Sequence, residues 1–346
     1  MFSSTEGQYL LNSLQGNFNN TPEHLDENQF LELLNQHKLS IWFFNSASKK
    51  APAVLKKYNH LAAALKNLFA QNTLKSLGKC AEQIKINQEF KAHNIQSIFL
   101  KGEGLSQQIY DEPNARMSGD IDILIDSKML VKADECLKAL GYIRKGTSEV
   151  LFKWFKPILF WVQKDVIYIH PQKKIMIELH WRFECDQFCM RAPFETLWQQ
   201  RSSVKFHNID IPVLGPEDNA VYLCFHGAKH GYLKFQWLLD IKNYFEKFQL
   251  TPDTILQRAK QYRVEPHCFL TAYLLDKYTG TSFNLRPESS ASRRLNYSVE
   301  YILRNPPSQK RRLYFAFIFM PQLHKNLLLL FPRIMRVCVE KLLYCF

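Results

Sequence analysis

The chain of 346 residues is poor in glycine and has neither a CxxC pair nor a long uninterrupted apolar run. Its eight cysteines are scattered, which argues against a zinc site and a disulfide framework and favours reduced thiols in a cytoplasmic protein. The first residues lack a basic stretch followed by an apolar one, so no secretory signal is expected.

Two apolar runs stand near the end of the chain, at 313–320 and 326–331. Both fall short of the roughly 18–20 residues that span a bilayer, so no integral membrane segment is expected. The two runs predict packed helices. The alternative is a peripheral membrane contact through the C-terminus, which the arginines beside the runs would favour.

The composition is that of a globular protein, with 46% hydrophobic and 14% aromatic residues, and it excludes disorder over most of the chain. Lysine and arginine exceed aspartate and glutamate by 45 to 32, a net charge of +13. This balance favours anionic partners such as nucleotides, nucleic acid or acidic lipid, without choosing among them. A basic but otherwise ordinary surface is the alternative.

Apolar periodicity divides the chain into three parts, with no internal repeat. We expect a helical N-terminal region at 1–95, a mixed α/β core at 96–215 and a helical C-terminal region at 216–346. Within the core, an amphipathic helix is expected at 129–142. Strands are expected at 96–101, 120–126, 157–162, 165–170 and 174–183.

Three of the 12 glycines fall within one stretch, "SIFLKGEGLSQQIYDEPNARMSGDIDILID", at 97–126. An apolar run breaks there at Lys101-Gly102, where a residue without Cβ allows a sharp turn or the close approach of a ligand. A junction of strand, glycine and helix can also direct backbone amides at phosphate. A plain turn is the alternative.

Asp120 and Asp122 stand two residues apart in an apolar alternation. In a strand, residues i and i+2 point the same way, about 6.6 Å apart, so the intervening isoleucines would face the core. Two like charges at this distance call for a cation between them, and a pair of Mg²⁺ ions ~3.5–4 Å apart would fit. A solvated strand end with two ordinary aspartates is the alternative.

A third acid lies in "KIMIELHW", where Glu178 shares one face of a predicted strand with Met176 and His180. An acid in an apolar strand is costly unless it is paired or bound to a metal. Glu178 could therefore face the two aspartates from a neighbouring strand, with a structural ion pair to lysine or arginine as the alternative.

These residues, in this order, resemble the polymerase-beta-type nucleotidyltransferase superfamily. More closely, they resemble its family of uncharacterised nucleotidyltransferases with the signature "LKG…R…DIDLLV…ELHW". The resemblance covers about 97–245, including "HGAKHGYLKFQWLLDI" at 226–241. It implies an α+β fold: a polymerase-beta-like core of mixed β-sheet and helices, flanked by N-terminal and C-terminal helical regions. One departure is Glu103, which stands where the superfamily has a second glycine or a serine.

The resemblance also implies a chemistry, namely attack by an acceptor hydroxyl on the α-phosphorus of a nucleoside triphosphate such as ATP. Asp120, Asp122 and Glu178 are then the catalytic and metal-binding residues, holding two Mg²⁺ ions with Mn²⁺ as a substitute. The nucleotide-binding residues are Lys101, Gly102, Arg116 and Ser118. Further candidates are His180, His230 and Asp240. The alternatives are a core histidine for His180 and structural ion pairs for Arg116 and Asp240.

The acceptor stays open among a small molecule, a protein and an RNA end. The alternative from another class is a non-catalytic nucleotide- or RNA-binding module on a degenerate transferase scaffold.

Overall fold

The computed structural model describes residues 4–147, 163–184, 190–285 and 291–304, with single residues between 152 and 160 and between 310 and 319. The apolar runs near the end of the chain lie almost entirely outside these residues, and the membrane-contact prediction stays a prediction. Within the described ranges, every helix is too short or too polar to cross a membrane.

In the described residues up to 140, the helices are α1 Thr5–Leu14, α2 Glu27–Gln36, α3 Ser40–Lys50, α4 Pro52–Lys57, α5 Asn59–Ala92, α6 Gly102–Tyr110 and α7 Leu130–Ala139. Those that follow are α8 Phe194–Gln199, α9 Pro216–Lys229, α10 Gln236–Lys247, α11 Pro252–Tyr262, α12 Glu265–Thr279 and α13 Ala291–Arg304. The strands are β1 Ser97–Leu100, β2 Ile121–Ile125, β3 Ile143–Lys145, β4 Asp165–Ile169, β5 Met176–His180, β6 Ser202–Phe206 and β7 Ile209–Val213. The fold is α+β, as expected.

One mixed sheet of seven strands organises the described chain, in the order β3-β4-β5-β2-β1-β7-β6. β2 pairs antiparallel with β1 and parallel with β5, so three strands distant in sequence lie together at the centre. β1 runs directly into the glycine turn at Lys101-Gly102 and then into α6. The centre of the sheet therefore brings together the turn, the Asp120–Asp122 segment and Glu178.

Two hydrophobic cores cover the two faces of the sheet. Ile121, Ile123 and Ile125 join one core with the second half of α5 and with α7, which confirms that these isoleucines face inward. Leu124 points the other way and joins the larger core, which unites α1–α4 with α9–α12. Since Asp122 shares the face of Leu124, it lies on the side of the C-terminal helices.

The strands predicted at 96–101, 120–126, 165–170 and 174–183 and the helix predicted at 129–142 are confirmed, whereas β3, β6 and β7 were not predicted. Two predictions differ from the structure. The strand predicted at 157–162 is wrong where it is described, because Pro157, Leu159 and Phe160 are helical. The helical pattern from 216 breaks between α9 and α10, where Gly231 and Tyr232 adopt positive φ of 59° and 50°. The three-part division of the chain stays a prediction, and we note that the larger core draws on helices from both ends.

Candidate active site

Asp122 and Glu178 stand opposite each other across the parallel pair of β2 and β5. In this register their side chains emerge on the same face of the sheet. Asp122 is almost fully buried, whereas the Glu178 side chain is 25% exposed and reaches the cavity described below. The expected convergence of these two acids is therefore present, although 55 residues lie between them in the chain.

His180 and Lys101 surround the Asp122 carboxylate. The Nε2–H group of His180 donates a hydrogen bond of 3.0 Å to Oδ1 of Asp122. The same Nε2 atom lies 3.4 Å from Oε2 of Glu178. The Nζ atom of Lys101 lies 3.1 Å from Oδ2, the other carboxylate oxygen of Asp122. Burial by itself disfavours the Asp122 carboxylate, but Lys101 and His180 outweigh it and hold the pKa of Asp122 below its usual range. A hydrogen bond from His180 likewise lowers the pKa of Glu178. Both acids are thus ionised at neutral pH.

Asp120 immediately precedes β2 and lines the same cavity. Burial, and then the negative charge of Asp122, raise the pKa of Asp120 above its ordinary value. This is the electrostatic environment that a bound cation relieves.

The turn between β1 and α6 has unusual backbone geometry. Lys101 has φ 46° and ψ −139°, and Gly102 has φ 51°, a region that residues with a Cβ rarely enter. A Cβ on Gly102 would lie at ordinary van der Waals distances, 3.6 Å from Oγ of Ser118 and 3.7 Å from the carbonyl oxygen of Asp120. Glycine is therefore favoured here by the positive φ and not by a lack of space.

The unexpected acid in this turn, Glu103, points away from the cavity. It is 1% exposed and forms an ion pair of 2.6 Å with Lys79 of α5, and Gln83 donates to it over 3.1 Å. Its charge is therefore neutralised inside the protein and does not oppose an anion bound at the turn.

Polar side chains of α5 hold the loop before β2, and sequence reasoning missed them. Asn72 donates to the carbonyls of Asn114 and Arg116 over 2.9 and 3.3 Å. Ser76 donates to the carbonyl of Pro113 over 2.9 Å, and Lys79 to the carbonyl and hydroxyl oxygens of Ser118 over 3.0 and 2.6 Å. The sequence did contain a signal for these contacts: polar residues at 72, 76, 79 and 83 recur at helical spacing along one face of α5 that would otherwise be apolar.

Arg116 and Asp240 join this loop to α10. The Nε and Nη2 groups of Arg116 donate to the Asp240 carboxylate over 2.9–3.2 Å, and Nη1 donates to the carbonyl of Gly102 over 3.2 Å. Both side chains are buried. Arg116 thus contacts the glycine turn itself, and Asp240, 124 residues away in sequence, fixes its direction.

One cavity of about 340 Å³ is bordered by the three acids, the glycine turn, His180, Arg116 and Ser118. Asp240 and the polar side chains of α5 lie outside its lining and support it from behind. One part of its lining carries the acids and the turn, and another part, the aromatic wall, carries His226, His230 and Trp237. The rings of the two histidines lie 5.2 and 5.5 Å from that of Trp237. Burial, followed by nearby lysines, lowers the pKa of His226 well below its ordinary value and that of His230 to about 4. This wall is therefore an uncharged aromatic surface at neutral pH.

Oxygen ligands suit a hard divalent cation, and the cavity supplies them. Asp122, Glu178 and His180 offer ligand atoms that all lie within 4.8 Å of one another. Asp120 stands outside this group but on the same cavity. The acids therefore fit a divalent ion in their donor chemistry.

Acids on adjacent central strands beside a glycine turn define a nucleotidyltransferase type of core. A family model described as an uncharacterised nucleotidyltransferase matches residues 23–280, and the chain belongs to this family of phosphorus-group transfer enzymes. The match extends well beyond 97–245, from just before α2 to the end of α12. No curated protein matches the chain in sequence.

Proposed function

We propose that this enzyme transfers a nucleoside monophosphate from a nucleoside triphosphate such as ATP to a hydroxyl acceptor and releases pyrophosphate. The observation that carries the proposal is the register of Asp122 against Glu178, with Asp120 beside them on one cavity. In the reaction, a bond forms between the acceptor oxygen and the α-phosphorus, and the bond to the bridging oxygen of the β-phosphate breaks. The hydroxyl proton passes to Glu178 and on to solvent.

Two Mg²⁺ ions, or Mn²⁺ in their place, held by Asp120, Asp122 and Glu178, would acidify the acceptor hydroxyl and offset the charge of the triphosphate. His180 contacts both Asp122 and Glu178, and we assign it the positioning of these carboxylates. We assign the phosphates to Lys101, Ser118 and the amides after Gly102, supported by the turn geometry. Arg116 serves the same subsite through its contact with the turn.

His226, His230 and Trp237 line the same cavity as the acids, and we assign the nucleobase to this aromatic wall. We assign the acceptor to the part of the cavity beside Glu178, because the Glu178 side chain is partly exposed to solvent. We propose a cytoplasmic location, supported by the free state of the cysteines at 80, 136, 224 and 268.

The test is to incubate the protein with each α-labelled nucleoside triphosphate, Mg²⁺ and cell extract, and to follow label and pyrophosphate. We expect label in RNA, protein or a small metabolite, and at least a hundredfold slower transfer by Asp122→Asn and by Glu178→Gln. The matched control is Glu112→Gln, which removes one exposed negative charge outside the cavity. Absence of transfer and of pyrophosphate with every triphosphate would overturn the proposal and favour a binding module.

A further inference from the structure

The turn between α2 and α3 brings a lysine from the N-terminal helices to the cavity. Lys38 lines the cavity together with the glycine turn and Asp120. It lies in a region that carries no sequence motif, yet the family match begins at residue 23 and therefore includes it.

Contacts with residues 234–236, at the start of α10, hold this turn in place. The backbone N–H of Gln236 donates to the carbonyl of His37 over 3.2 Å, and Nζ of Lys234 donates to the carbonyl of Gln36 over 2.6 Å. The His37 ring stacks on Phe235 at 4.5 Å with an interplanar angle of 16°. Gln236 in turn donates to the carbonyl of Met117 in the loop before β2. Lys38 is thus fixed to the same framework as the catalytic acids.

The other lysine and arginine side chains on the cavity are neutralised by carboxylates. Their ion pairs are Lys101–Asp122, Arg116–Asp240, Lys164–Asp165 and Lys229–Glu184. Lys38 differs, because no carboxylate within 4.0 Å and no side-chain hydrogen bond is found for it among the described residues. Burial, followed by the nearby charge of Arg116, lowers the pKa of Lys38, and the charge of Asp120 acts in the opposite direction.

We propose that Lys38 binds the outer phosphates of the nucleoside triphosphate, so that the N-terminal helices complete the nucleotide site. This inference rests on the proposed function. An ammonium group is a point charge that suits phosphate oxygens. The reacting α-phosphate belongs beside the metal ions that the acids would hold, with Lys101, Ser118 and the turn amides as its donors, which leaves the outer phosphates for Lys38. Lys38 therefore distinguishes a triphosphate from a monophosphate.

Equilibrium binding without acceptor tests the assignment, with Mg²⁺ and each of the four ribonucleoside triphosphates and their monophosphates. We expect Lys38→Gln to weaken triphosphate binding about tenfold to a hundredfold and to leave monophosphate binding within about twofold. Lys50→Gln is the matched control, because Lys50 is exposed on α3 and lies away from the cavity. It should bind both nucleotides like the unaltered protein.

Circular dichroism and the melting temperature check the fold, and Lys38→Asn is the second variant, since the backbone there has φ 57°, which Asn tolerates. Unchanged triphosphate binding in the Lys38 variants would overturn the inference while the proposed function stands. Equal weakening of monophosphate and triphosphate would also overturn it. An unaltered protein that binds no triphosphate would instead remove the proposed function, and the inference with it.

Discussion

Lys79 and Glu103 form a buried ion pair of 2.6 Å that joins the longest helix, α5, to the glycine turn. The side chains are 8% and 1% exposed, so the loss of either partner leaves a buried charge. Lys79 also donates to Ser118, and the pair therefore couples the turn to the loop before β2.

We predict that Lys79→Met and Glu103→Gln each lower the free energy of unfolding by about 3 kcal/mol, because one buried charge loses its partner. The double variant should lose clearly less than the sum, since both charges are gone. Urea unfolding of the four proteins measures the coupling. Additive losses would mean that the two side chains do not stabilise each other.

The second prediction concerns Arg116 and Asp240. Because Asp240 orients the guanidinium that contacts the Gly102 carbonyl, Arg116→Gln and Asp240→Asn should weaken triphosphate binding to a similar extent, about tenfold. The double variant should be no weaker than the poorer single one. Equilibrium binding provides the measurement, and a much larger effect of Arg116→Gln would indicate a direct contact of Arg116 with the nucleotide.

The third prediction concerns the aromatic wall. Trp237→Ala should weaken nucleotide binding about 5- to 150-fold, because stacking of a base on an aromatic ring contributes about 1–3 kcal/mol. Trp237→Phe should retain most of the affinity. Trp198→Ala is the control, since Trp198 stacks on Phe194 outside this cavity. Unchanged affinity in Trp237→Ala would move the base to another part of the cavity.

The fourth prediction concerns pH and His37. Burial, followed by the charge of Lys234, lowers the pKa of His37 to about 4, below its ordinary value of 6.5. The unfolded chain therefore takes up the proton first, and the contribution of this residue to stability is lost as the pH falls from 6.5 towards 4.

Between pH 7.5 and pH 5, the unaltered protein should lose about 2 kcal/mol more unfolding free energy than His37→Phe, in which a ring can still lie beside Phe235. Urea unfolding at the two pH values measures this difference. Equal losses in both proteins would show that His37 is protonated with its ordinary pKa in the folded state.

Much of the site was predictable because its residues lie in short apolar strands with a period of two. Asp122 and Glu178 interrupt such alternation, and an acid there requires a partner or an ion. Gly102 was visible for a related reason, since glycine is scarce and stands where β1 ends. The failed strand at 157–162 shows the limit, because a short apolar run does not distinguish a strand from a buried helical segment.

Local patterns in the chain were enough to predict a mixed α/β core between helical regions, the acids and the turn, because periodicity and the cost of burying charge act through near neighbours. Three pairings became visible only in the folded molecule: Lys79 neutralises Glu103, Asp240 directs Arg116, and Lys38 reaches the cavity from a distant turn. These pairings join helices to a sheet across long separations in sequence, and the packing of side chains in three dimensions selects them. A local sequence pattern does not predict which distant residue will form an ion pair with a buried charge.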